Sequence, residues 1–227
     1  FTCDATSNAH ASGESVELRM TAEILNDVAL GDDESLDAIS NASAITGNAV
    51  DVFIYDTSND SDGGAWRKRT QATSWYNETL NTSTRGSRKE FPSVAVIVTE
   101  SDKVTIYDGD TPDLDMWMVF TWVTGYNLLG YENRISSRIS MLNGLLCKGS
   151  TPDGVYYADF IKDVGGRYTP SGNFRTSPRI SLRTGLPVFQ NIDSSTPLIN
   201  GDVNDVAMTV LPNAPIDSTT GLPIPTI

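Results

Sequence analysis

The chain has 227 residues, 39% hydrophobic and 20% charged, with a formal net charge of −13, enough for one large or two small packed domains. That acidity argues against nucleic-acid binding, which needs Lys and Arg to displace counterions. Cys3 and Cys147 alone make no disulfide framework, and the single histidine, His10, leaves a Ser/His/Asp triad or a histidine zinc site without material.

Residues 1–48 read as a small acidic N-terminal segment. Residues 1–62 hold thirteen acids and one base, Arg19, so the rest of the chain is close to neutral. Within it, Val16, Leu18, Met20 and Ala22 alternate with Glu17, Arg19, Thr21 and Glu23, which predicts a strand over 15–25. No run approaches the ~20 apolar residues of a membrane span, and no signal peptide opens the chain.

From residue 49 to 211 the pattern is all-β. Strands are predicted over 50–55, 94–99, 104–107, 116–123, 135–142, 145–148, 155–160 and 204–211, with 65–75 as a further extended segment. Residues 57–64 and 77–89 read as polar turns and loops, Ser101-Asp102-Lys103 closes one hairpin and Asn143-Gly144 another. Residues 163–203 carry only scattered apolar positions. Residues 212–227, with Leu222-Pro223-Ile224-Pro225 near the end, predict an extended proline-rich segment.

Aspartate ends a β-like run at Asp56, Asp108 and Asp159, at intervals of 52 and 51 residues. A period in this range marks arrays and propellers. The fold expected is therefore all-β, with β-propeller-like blades of short antiparallel strands. Trp66, Trp75, Trp117, Trp122, Tyr55 and Tyr107 are the residues expected to carry folding.

Three segments hold chemistry. Asp56, Ser58, Asp60 and Asp62 alternate before Gly63, a pattern that fits oxygens wrapped around Ca²⁺. It lacks the distal Glu of an EF-hand loop, and it equally fits a structural turn. With Gly63, Gly64 and Trp66 the segment resembles the Asp-box hairpin of sialidase-like propellers, one residue out of step, which implies architecture and no activity. Arg67, Lys68, Arg69, Arg85, Arg88 and Lys89 interleave with Trp75 and Tyr76, as in an anion- or glycan-binding patch, or as partners for the acidic first quarter. Asp108, Asp110, Asp113 and Asp115 offer the paired carboxylates of a glycosidase, or plain turn formers beside Gly109 and Pro112.

Read whole, Asp51 to Phe120 resembles a segment of large structural proteins of tailed bacteriophages, especially marine ones. The resemblance rests on Asp51-Val52-Phe53-Ile54-Tyr55-Asp56, Asp62-Gly63-Gly64-Ala65-Trp66-Arg67-Lys68-Arg69, Trp75-Tyr76-Asn77-Glu78-Thr79 and Arg85-Gly86-Ser87-Arg88-Lys89-Glu90-Phe91-Pro92, in that order. Asn204 to Pro225 resembles those proteins as well; the first fifty residues resemble them poorly. In these relatives the segment opens a β-propeller-like region. The resemblance implies a non-enzymatic virion component of the tail or its fibres, assembled with other virion proteins and with copies of itself, and a role in host attachment through a surface glycan. It transfers no catalytic residues. Two rivals stand beside it. One is a carbohydrate-binding module, which needs Trp66, Trp75 and Tyr76 exposed on one face. The other is a propeller-type glycoside hydrolase, which needs two carboxylates in one cleft.

Overall fold

A computed structural model describes residues 49–122, 126–132, 134–176, 179–183, 185, 189–195 and 197–227. The strand expected over 15–25, His10 and Cys3 lie outside the described residues. Within them the protein is all-β. Strands β1 (Asp51–Asp56), β2 (Val94–Thr99), β3 (Lys103–Asp108) and β4 (Met116–Thr121) form an antiparallel sheet in chain order. A two-stranded ribbon of β5 (Tyr126–Asn127) and β6 (Gly130–Tyr131) follows. The second sheet is a six-stranded antiparallel meander, also in chain order: β7 (Ile135–Leu142), β8 (Leu145–Thr151), β9 (Gly154–Asp159), β10 (Val164–Thr169), β11 (Gly172–Thr176) and β12 (Phe189–Asp193).

Alternation sets the faces of the first sheet. Phe53 and Tyr55, Ala95 and Ile97, and Val104 and Ile106 turn to the core, while Val52 and Ile54 turn outward. On β4 the register slips: Ile106 faces Met118, and Tyr107 faces Met116. The extra residue is Trp117, and the bulge lets Trp117 and Met118, adjacent in sequence, both be buried.

The long connection from β1 to β2 fills the space between the sheets. It brings in Trp66, Trp75 and Phe91; Trp66 meets Phe91, and Trp75 and Phe91 meet Trp117 and Phe160, mostly edge to face, at 4.7–5.9 Å between centroids. Such pairs add about 0.5–1.5 kcal/mol each beyond their area. Every indole N–H finds an acceptor: Trp66 on Asp60, Trp75 on the Phe160 carbonyl, Trp117 on Glu90 and Trp122 on Ser101. Of the six aromatic residues expected to carry folding, five are buried; Tyr107 is half-buried on the outer face.

The middle of the second sheet, at β8 and β9, is buried on both faces. Leu146, Tyr156 and Ala158 join the main core, whereas Cys147, a free thiol, packs with Val155, Tyr157 and Val206 under the chain's last stretch. All six residues of β9 are consequently buried.

The outer edge of β4 is sealed. Arg85 bridges Met118, the Gly86 N–H donates to the Trp117 carbonyl, and the Val119 N–H donates to Thr84. Gly86 is required there because a Cβ would lie 1.9 Å from the Met116 carbonyl oxygen. Gly86→Ala is expected to cost about 1–3 kcal/mol of stability by forcing this cap outward. A urea midpoint equal to that of the parent protein would refute the assignment.

Several expected elements differ. Residues Ala65–Arg69 form a 3-10 helix, not an extended segment: Gly64, with φ of 79°, turns the chain and delivers the Trp66 indole inward. The 204–211 stretch is no strand; its single ladder contact pairs Thr209 with Thr226. Strands β10 to β12 occupy the region that read as scattered. The aspartate period also has another meaning. Asp56 and Asp108 end strands of one sheet, so the interval does not count one sheet per repeat. What recurs is local: each aspartate accepts the N–H two residues on, from Ser58, Asp110 and Ile161, the Asx-turn chemistry that stops a strand.

Candidate functional site

The aspartate-rich loop after β1 is built around one carboxylate. Asp60 is buried and accepts three hydrogen bonds: from the Tyr55 hydroxyl at 2.5 Å, the Trp66 indole at 2.7 Å and the Asn143 N–H at 2.6 Å. Burial pushes its carboxyl above the ordinary value, and these donors pull back against that shift. The Asn143-Gly144 turn, with φ of 52° and 73°, returns the contact: Gly144 N–H donates to the Tyr55 oxygen, and the Asn143 amide bonds Ser61 and Pro223. Asp60 thus joins the first sheet to the β7–β8 hairpin.

The four residues expected to ring a calcium ion do not converge. Asp56 caps its own turn at the surface, and Ser58 is exposed. Asp60 spends its oxygens on the three donors above, and Asp62 pairs with Arg69 at 2.9 Å. Among the described residues no group of three or more His, Cys, Asp or Glu side chains is gathered to hold a metal ion.

The second acidic cluster does share a cleft, of about 270 Å³, lined by Arg88, Asp108, Asp110, Asp115 and Trp117 among others. Its chemistry is that of a clamp. Arg88 Nη1 donates to both oxygens of Asp108 and to Asp110, and the Ser93 and Val94 N–H groups also donate to Asp110. Partial burial would raise the Asp110 carboxyl, but these donors outweigh it and hold it at about 2. A general acid needs a raised pKa, and the donors on Asp110 pull the other way.

The basic and aromatic patch is dispersed in the same way. Trp66 and Trp75 are fully buried, which removes them from any sugar-stacking face. Arg67 bonds the Phe91 carbonyl, Arg69 bonds Asp62 and Thr220, and Lys89 lies over the Tyr76 ring. Arg85 and Arg183, both buried, flank Glu78, and Arg85 stacks 4.3 Å above Trp117. The patch pairs within its own chain, although not with the acidic first quarter alone.

Two features were not visible in the sequence. A hollow of about 400 Å³ lies between the second sheet and the last stretch of chain, lined by Val155, Tyr168, Leu198, Val203, Val206 and Ile227 among others. On the outer face of the first sheet, Val50, Val52 and Ile54 stand 43%, 48% and 57% exposed beside the half-buried Val94 and Val96. The strand expected over 50–55 is present, and both of its faces are largely apolar. No protein-family model, curated protein or solved structure matches the chain.

Proposed function

We propose that this chain is a structural, non-enzymatic component of a tailed-bacteriophage virion, tail- or fibre-associated, whose meander sheets serve as β-propeller-like blades. The observation that carries the reading is the partly exposed aliphatic face at Val50, Val52 and Ile54. A sheet face of valine and isoleucine left in water is a docking surface, because burying each such side chain gains ~1.5–3 kcal/mol. Face-to-face packing of a neighbouring sheet is how blades use such a surface. The sequence resemblance across residues 51–120 supports the virion setting. So does the chemistry of the charged clusters, which are spent on internal clamps: Arg88 on Asp108 and Asp110, Arg85 and Arg183 on Glu78. Partners in this reading are other virion proteins and further copies of the chain, with host-surface glycan contact made by the assembly.

Two measurements test it together. Antibody raised against the chain should label gradient-purified particles at the tail. In sedimentation, Ile54→Lys should weaken association of the isolated chain by about tenfold or more, the equivalent of one buried aliphatic side chain. A chain that is monomeric at high concentration and does not travel with particles sinks the proposal.

A further inference from the structure

The second sheet contains a buried lysine that makes no ion pair among the described residues. Lys148, on β8, is 1% exposed. Its Nζ makes one hydrogen bond, a long one of 3.3 Å to the neighbouring Gly149 carbonyl. The ammonium lies 4.7 Å from the Trp122 ring centroid and 5.7 Å from that of Tyr156. Gly130 backs the same indole, where a Cβ would come within 2.5 Å of the ring. Asp153 is the carboxylate that acts on Lys148, but its Oδ2 already accepts the Tyr156 hydroxyl at 3.1 Å and Arg134 Nε at 3.2 Å.

Two hydroxyls on the same face of the sheet are orphaned. Ser136 and Ser150 are directly opposed across β7 and β8, both buried, and neither Oγ has a hydrogen-bond partner. Ser150 is two residues from Lys148 along β8, so all three side chains leave the same face of the sheet. The β7 register slips by one residue between Ser136 and Ile139, next to Lys148, which interrupts the ladder where these groups meet. Buried polar groups without partners are costly, and a buried charge more so.

We propose that Lys148, Ser136 and Ser150 form a binding site for a small monoanion of the halide class, with chloride as the ordinary occupant. The ammonium supplies the opposite charge, the hydroxyls turn their O–H groups toward the ion, and Trp122 closes one wall. A water molecule would satisfy the hydroxyls but leave the charge uncompensated. A multiply charged oxyanion would bring excess negative charge against Asp153. The site is independent of any role in a virion.

The pH dependence has a definite sign. Burial pulls Lys148 down to about 7, with Asp153 partly offsetting it. Among the described residues, the other charged or titratable groups around it are Tyr156, Arg134 on the approach to β7, and Arg167 on β10 opposite Tyr156. Tyr156 is raised, by burial first and then by Asp153, so it stays neutral. The anion is therefore held below pH 7, where the amine is protonated, and released above it.

The test compares melting temperatures in sodium chloride, bromide, phosphate and gluconate at equal ionic strength, at pH 6 and pH 9. Chloride and bromide should raise Tm by roughly 2–4 °C over gluconate at pH 6, saturably, and far less at pH 9. Lys148→Met should abolish the increment. Should that variant not fold, the Ser136→Ala/Ser150→Ala pair serves instead and should reduce it. Equal Tm in chloride and gluconate, a phosphate effect matching that of chloride, or an increment surviving both sets of substitutions would each overturn the site.

Discussion

Asp60→Ala is expected to cost about 4 kcal/mol or more of folding free energy. The carboxylate receives the Tyr55 hydroxyl, the Trp66 indole and the Asn143 N–H, all buried. Removing it strands three donors, each with a desolvation penalty of about 1–3 kcal/mol. It also releases the turn at Asn143 from the loop at Asp60, 83 residues apart in the chain. Asp60→Asn keeps one acceptor but turns an NH₂ toward the remaining donors, so it should recover less than half of the loss. Urea unfolding of the three proteins measures this; a penalty under about 1 kcal/mol for Asp60→Ala would show that Asp60 is not the joint between the sheets.

Glu78→Ala comes second, at about 3–5 kcal/mol, because it leaves two buried guanidinium groups without their shared carboxylate. Arg183 donates to Glu78, Val119, Thr84 and Ile180, and Arg85 donates to the Trp117 and Lys89 carbonyls. Burial pulls Arg85 down to about 10, against the pull of Glu78 and with Arg183 adding to the fall, so the group is still charged at neutral pH. The built-in comparison is Asp62→Ala. Its partner Arg69 has a side chain 46% exposed, and such a pair is worth no more than about 1 kcal/mol. If the two substitutions cost the same, the buried triad is not what fixes the 77–92 loop to β4.

Legibility in the sequence followed how local the cause was. The Asn143-Gly144 hairpin was readable because a tight turn of that type demands positive φ at both positions, which these residues tolerate. The β2–β3 hairpin was readable from two apolar runs around a polar triplet. Strands β10 and β11 were not. Gly165 and Gly166 look like loop residues, yet they let Leu128 and Tyr157 approach, with would-be Cβ contacts of 2.4 Å at each. The 204–211 segment failed in the opposite direction: it alternates like a strand, but Val206 packs against the second sheet without a ladder of its own. The aspartate-rich loop could be located but not interpreted, since the residue that decides its role, Asn143, lies far along the chain. Lys148 was hidden because a lysine in a strand normally marks a solvent face.

The seal on β4 bears on how such molecules can join. Thr84, Arg85 and Gly86 occupy the margin that another strand would need, while among the described residues no strand pairs with the far side of β1. A unit that polymerises by adding strand to strand must offer two open margins, one to give and one to receive. The first sheet has lost one of them. Edge-to-edge growth through the β4 margin is therefore blocked, which protects against fibres.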